Sequence, residues 1–423
     1  MRLTPDQQAM LDGAKGETLA KVMKTLVMYG EAFGAEEMVP VTAEKGHLVT
    51  SFGLSMMKPV YDLMDQLIEG GAVNGQKFSV DPRPLDPNVP TNLLQKLVFK
   101  FMYSKQDDYE AQLRQLGLLE ADAFTCTCYL PQVGNEPEQG QVLSWAESSA
   151  VVYANSVLGA RCNRNSGILE LFGSIAGCVP KFGLLTDEGR KANWVVQVKT
   201  SRRPEAQILG SAIGMKVMED VPYIQGLDQW LGGQLDDAVK AYLKDMGAAS
   251  ASNGAVGLYH VEGITPEACQ QGKALIRPDA QVYVIDDAEL ERVRASYPCI
   301  WKDPNAKPKL CFVGCPHLSL EQLNQWTGDL CAALEQAGRK TVAVPTVFTA
   351  APAVAKAFAK TPAAARLKDT GVVLSSICPL MYMNNPLCGK MPVATSSNKL
   401  RTYSSARYYT DAEMLQIMVK GEC

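Results

Sequence analysis

The chain has almost no surplus charge: 41 Lys and Arg stand against 45 Asp and Glu, a net charge of −4 over 423 residues. Nucleic acid and anionic lipid both need a basic field to hold them, so neither is an expected partner. Long apolar runs are missing too, and no window offers the roughly 18 residues of a membrane span. The opening Met1-Arg-Leu-Thr-Pro-Asp-Gln-Gln8 meets acids and amides before any stretch long enough for a signal peptide, so a cytoplasmic protein is expected. The 12 cysteines are too dilute for a disulfide scaffold, and no two form a Cys-x-x-Cys pair. They read as reduced thiols, most of them small buried hydrophobes. There is no repeat, and the sole biased tract is an Ala-rich helical stretch from Ala350 to Ala365.

What is present is enough apolar material, 47% of residues, for a large core, and a length that predicts two or three lobes with boundaries near about residues 120, 200 and 300. Helix starts are legible. Thr4-Pro5-Asp6-Gln7 combines an N-cap, a Pro in the first turn and a capping-box Gln, opening a helix toward Gly13; a second helix follows from Glu17 to Phe33. Thr265-Pro266-Glu267 repeats the opening, Ser319 to Gln322 is another capping box, and Thr410 to Glu413 starts the last helix. Between helices lie apolar runs of four to seven residues: Ala255 to Val261, Val282 to Ile285, Leu310 to Val313, Thr341 to Pro345 and Val372 to Ile377. Such runs fit buried parallel strands and predict an α/β layered fold, whose ligands sit where strands end and helices begin. The proline-dense segment Asp81 to Pro90 is expected to be a long loop near an active site or a lobe junction.

Three cysteines share a setting in which a strand-like run ends in a chain reversal: Cys126 in Phe-Thr-Cys-Thr-Cys128, Cys315 before Pro316, and Cys378 before Pro379. Thiolates from distant strand ends can converge on one iron–sulfur cluster, and three protein ligands leave one iron of a cubane free as a Lewis acid. Cys315 also precedes the Ser319 N-cap, whose helix presents a positive end. Spacing alone does not separate this reading from three buried structural cysteines. Of the three histidines, His317 stands two residues from Cys315, and His47 precedes Val49-Thr50-Ser51; a hydrogen-bonded structural role competes with catalysis for both. Trp145 to Gly167 crowds amides, hydroxyls and the guanidinium groups of Arg161 and Arg164 among small apolar residues. Either arginine could grip a carboxylate through two parallel hydrogen bonds, or the stretch is simply a polar helix followed by a turn. Ser397 and Lys399 lie in a loop of hydroxyls and cations that suits an anionic ligand or a solvated surface equally.

Taken together, these segments resemble the catalytic region of aconitase X, a divergent branch of the aconitase superfamily. Gly46-His47, Thr125-Cys126-Thr127, Glu147 through Ala154-Asn155-Ser156-Val157-Leu158-Gly159-Ala160-Arg161, Leu258 to Glu267, Gly314-Cys315-Pro316-His317-Leu318-Ser319, Cys378-Pro379 and Ser397-Asn398-Lys399 carry the likeness across nearly the whole chain. It implies a fold like aconitase domains one to three without the swivelling domain. It also implies an iron–sulfur cluster, of 4Fe-4S type by expectation, on Cys126, Cys315 and Cys378. Cys128 and Cys311 remain alternatives to the first and second ligands. His47 and His317 become the expected catalytic residues, and Gly46, Ser51, Asn155, Arg161, Arg164, Ser397 and Lys399 the expected substrate-binding set. The implied activity is dehydration of a small hydroxy acid, first cis-3-hydroxy-L-proline and alternatively mevalonate 5-phosphate. The swivelling domain that carries the serine base is expected on a separate small subunit of about 130 to 150 residues. The rival from another class is a non-catalytic cluster or thiol-metal protein for redox sensing or partner binding. Convergence of Arg161, Arg164 and Lys399 on the thiols would decide against it.

Overall fold

A computed structural model describes residues 1–73 and 75–422; Cys423, one of the 12 cysteines, lies outside the described residues. The capping boxes form as their chemistry dictates. The side chains of Thr4, Ser319 and Thr410 accept the N–H of the third helical residue, and Gln7, Gln322 and Glu413 return the bond, opening the helices Pro5–Leu11, Leu320–Gln336 and Asp411–Lys420. Thr265 departs from this pattern. Its hydroxyl turns back to the strand, accepting the Val261 N–H at 2.9 Å, so the helix Pro266–Gln271 starts on the proline without a side-chain cap.

Two larger sheets are parallel throughout, as the unalternating apolar runs predicted. One has the order His260–Val261, Pro222–Gln225, Ala192–Val198, Ile276–Ile285. The other runs Val373–Ser375, Thr346–Ala350, Leu310–Leu318, Val393–Thr395, Arg407–Tyr408, with every residue of its central strand buried. Four expectations shift. Of the run Ala255 to Val261 only His260–Val261 pairs as a strand, and the residues before it form a largely buried connection from the helix Asp237–Asn253. Thr341 to Pro345 is a connection, and the strand begins one residue later at Thr346. The Ala-rich stretch is two helices, Pro352–Phe358 and Pro362–Asp369, because Pro362 cannot continue the first. Pro316 does not end the central strand at Cys315; the ladder resumes to Leu318 across a register shift opposite Phe348 and Ala350.

A smaller parallel pair near the N-terminus, Lys45–Leu48 with Lys77–Val80, is widened by bridges from Trp145 to His47 and from Phe124 to Val80. An apolar cluster that includes Phe99, Tyr103, Phe312, Val347, Ile377 and Tyr382 binds this region to the five-stranded sheet. The carboxyl ends of both parallel systems therefore open onto a common space.

Candidate active site

That space is a cavity of about 250 Å³ whose wall includes Cys126, Cys315 and Cys378 together with Asp81, Glu147, Lys399 and Tyr403. Each lies at or just beyond the carboxyl end of a parallel strand or bridge. Asp81 follows Lys77–Val80, Cys126 follows Phe124, and Glu147 follows Trp145. On the facing sheet Cys315 lies near the end of the central strand, Cys378 follows Val373–Ser375 and Lys399 follows Val393–Thr395. Side chains separated by more than two hundred residues meet because parallel sheets deliver all their outgoing loops to one edge.

The three cysteines form no disulfide. Burial pushes the thiols of Cys126, Cys315 and Cys378 upward in pKa; the Lys399 ammonium opposes this at all three, while Glu147 adds to it at Cys126 and Cys315. The backbone around them is tightly held. Ser397 donates its hydroxyl to the Cys315 carbonyl oxygen while accepting the Leu400 N–H at 3.1 Å as a helix N-cap. Gly314 adopts φ +105°, and a Cβ there would lie 2.5 Å from the Thr349 carbonyl oxygen, so only glycine fits the turn into Cys315. The cavity is lined by Cys126 and Cys315 and not by Cys128 or Cys311; Cys128 lies beside His47 instead. Among the described residues, no three His, Cys, Asp or Glu groups close on a single metal ion.

His317 ties all three cysteine segments together. Its backbone N–H donates to Cys126 Sγ at 3.4 Å, Nε2 donates to the Ile377 carbonyl oxygen at 3.0 Å, and Nδ1 meets the Thr125 hydroxyl at 3.1 Å. Burial pushes its pKa down to about 4, so the ring is neutral, and both nitrogens are engaged within the chain. His47 is also buried, with Nδ1 2.9 Å from the Ser79 hydroxyl and Nε2 3.7 Å from Asp81 Oδ1, too long for a hydrogen bond. It stands behind Asp81 rather than on the wall. Burial opposes its charge, yet the neighbouring Cys128 and Asp81 raise its pKa to about 10. Burial raises Asp81 to about 6 against the pull of His47, and Asp81 Oδ1 has no hydrogen-bond partner in the chain.

Lys399 donates to Glu147 Oε1 and, at 3.2 Å, to the Ser149 hydroxyl. Glu147 caps the helix Ser148–Ser156 by accepting the Ala150 N–H at 2.7 Å, and burial notwithstanding, Lys399 holds its carboxyl down to about 2. Its φ of +109° is unusual for a side-chain-bearing residue and costs about 1–3 kcal/mol, sustained here by the cap and the ion pair. Asp81 and Glu147 were not singled out from the sequence. The signals were a carboxylate opening the proline-dense loop and a Glu directly before a Ser-Ser helix start.

The remaining expected residues divide. Arg164 is solvent-exposed and does not line the cavity, but it stands close enough to the wall residues Tyr403 and Glu147 for their charges to act on it. Arg161 does not; its guanidinium is taken by the Leu185 carbonyl oxygen at 3.2 Å and Asp187 at 2.5 Å. Asn155 is a fully buried tie: Nδ2 donates to the Cys162 and Gly257 carbonyl oxygens, and Oδ1 accepts from the Cys162 N–H and the Arg190 guanidinium. Gly46 accepts from Asn135 through its carbonyl, and Ser51 is buried with its hydroxyl toward Gly53 N–H; neither is on the wall. Of the three cations weighed against a non-catalytic role, Lys399 lines the cavity, Arg164 stands near two of its wall residues without lining it, and Arg161 is elsewhere.

Comparison with known proteins matches residues 1–188 to the family model described as aconitase X first domain and residues 192–295 to that described as aconitase X second domain. The phosphomevalonate dehydratase large subunits of Thermococcus kodakarensis and Aeropyrum pernix are 30% and 31% identical over 356 and 348 residues. These alignments cover 84% and 81% of this chain and 82% and 81% of theirs. A cis-3-hydroxy-L-proline dehydratase of Pseudomonas aeruginosa is 28% identical over 82% of this chain and 56% of its own length. The crystal structure of Thermococcus kodakaraensis aconitase X in its holo-form superposes with a TM-score of 0.79, 27% identity and full coverage of both chains.

Proposed function

Because the chain belongs to the aconitase X family of hydro-lyases, we propose that it is the large subunit of a phosphomevalonate dehydratase, with an iron–sulfur cluster on Cys126, Cys315 and Cys378. The observation that carries the cluster is the convergence of these three thiols on one cavity. Delivered to one wall from three separate segments, they are placed to hold a single group between them. Buried thiols resist ionisation, and a multivalent cationic group supplies the compensation that makes them thiolate ligands. When bound, the cluster would supply a Lewis acid for the leaving hydroxyl.

The substrate order expected from sequence is reversed. Identity to the phosphomevalonate enzymes is higher and spans about four-fifths of both lengths, whereas the chain spans about half the length of the cis-3-hydroxy-L-proline dehydratases. The name large subunit given to the nearer relatives supports a small-subunit partner, on which we place the serine base. In this chain Arg164 receives the anionic end of the substrate. Lys399, fixed by Glu147 and Ser149, keeps positive charge beside the reacting hydroxy acid. Asp81, on the cavity wall with Oδ1 unpartnered in the chain, is placed to pass a proton to the departing hydroxyl, with the His47 charge standing behind it.

Anaerobic reconstitution of the chain with its small subunit, followed by assay of phosphomevalonate and cis-3-hydroxy-L-proline in parallel, tests the reading. Water loss from phosphomevalonate alone is expected. Turnover of the proline alone restores the first expectation, and no cluster absorbance after reconstitution removes the enzyme reading in favour of a protein without this chemistry.

A further inference from the structure

The helix Leu93–Met102 has two apolar faces, and only one is used by the core. Its inner side carries Phe99, whose ring lies 5.4 Å from that of Tyr382; at the helix end Tyr103 donates its hydroxyl to the Met381 carbonyl oxygen at 2.7 Å. That side is thus fixed to the segment directly after Cys378. On the outer side Leu93, Leu94, Leu97 and Phe101 are 58–77% exposed, and at 3.6 residues per turn they fall within a sector of about 100°. Met56, 80% exposed, extends the patch, because Ser55 N–H bonds to the Met102 carbonyl oxygen at 2.7 Å beside the helix end. A helix apolar on both sides is one that expects a second neighbour.

We infer that this outer face is the docking surface for the small subunit, an inference that rests on the two-chain reading above. The helix packs through its inner side on the segment that follows Cys378, so a partner on its outer face is linked to the cavity wall through that helix. In the longer relatives this chain matches only 53% and 56% of the length, so further polypeptide is joined covalently there. A tethered domain is held by its high effective concentration, whereas a separate subunit needs contact area of its own, and apolar area is what this helix offers. Lys96 and Lys100 flank the patch, which predicts acidic residues on the partner's rim. A second copy packed on a two-fold axis would bring those lysines against each other.

The test is binding of the small subunit from the same source to the cluster-loaded chain, unaltered and carrying Leu97→Glu with Phe101→Glu. The dissociation constant should rise at least tenfold, with the chain's own thermal unfolding unchanged. Met28→Glu, on another exposed apolar residue, should leave binding as it was. Leu97→p-benzoylphenylalanine should photo-cross-link to the small subunit, a readout independent of the charge variants. Unchanged binding by the double variant overturns the inference. So does a dimer of the chain alone that the double variant converts to monomer. If the unaltered chain forms no complex, the two-chain reading falls and takes the occupant of this face with it, a result distinguishable from a complex that forms elsewhere.

Discussion

Replacing Lys399 with Met should destabilise the chain by about 3–5 kcal/mol at neutral pH, because it strands the Glu147 carboxylate in a site where both partners are nearly inaccessible, at 11% and 5% side-chain exposure. The lower end is expected, since Glu147 keeps the Ala150 N–H and the Ser149 hydroxyl. The pH dependence fixes the cause. In the unaltered chain Glu147 is held near 2, below its unfolded value of about 4.3, so the pair's contribution is complete above the latter and lost as pH falls through the former. Without the cation, burial raises the carboxyl, and the variant's deficit should shrink below about pH 4 as Glu147 takes up a proton. Urea unfolding of the two forms from pH 3 to 7, followed by tryptophan fluorescence under anaerobic conditions, measures this directly. Adding Glu147→Gln to Lys399→Met should recover more than half of the loss, because it removes the stranded charge and keeps the helix cap. A deficit below about 1 kcal/mol, or a double variant no more stable than Lys399→Met alone, would refute the account of the site as an electrostatically locked wall.

Cys126→Ser, Cys315→Ser and Cys378→Ser should each abolish or bleach the visible absorbance of the reconstituted chain, while Cys128→Ser should retain it; the reverse at positions 126 and 128 would move the first ligand. Arg164→Gln should lower kcat/KM by roughly 10- to 100-fold through loss of a charged hydrogen bond, while Arg161→Gln, whose guanidinium serves Leu185 and Asp187, should leave the substrate KM unchanged. Glu170 offers a pH test remote from the thiols. The Ser144 hydroxyl donates to the Glu170 carbonyl oxygen at 2.6 Å and to its Oε2 at 2.9 Å, and Asn165 donates to Oε1 at 2.7 Å; burial outweighs these bonds and raises the carboxyl to about 8. A raised folded value means the folded state binds the extra proton, so its stabilisation is present below about pH 4 and is lost as pH rises toward 8. Glu170→Gln should flatten that decline in a thermal-unfolding series from pH 5 to 8; an equally steep decline would show that another group is responsible.

Local chemistry alone determined the helix starts at Thr4, Ser319 and Thr410, because a cap is a contact between residues three apart. It also determined the parallel character of the strands, since burial on both faces leaves no polar alternation; local chemistry did not single out Cys126, Cys315 and Cys378, which only the family likeness offered as a candidate set. Where several near-equivalent side chains competed, the sequence was silent. Arg161 and Arg164 stand three residues apart in the same polar stretch, yet one is absorbed by Asp187 and the other is left exposed within reach of the Tyr403 and Glu147 charges. Asn155 and His317 have the polarity of site residues, but their groups are spent on backbone and side-chain partners within the chain up to 192 positions away. Asp81 and Glu147 carry only weak local signals, a carboxylate before a proline-dense loop and a Glu before a helix start, and nothing that joins them until the two parallel systems face each other. Which donors remain free after folding depends on long-range pairing, so only the tertiary structure could separate the residues that build the cavity from those that look out into it.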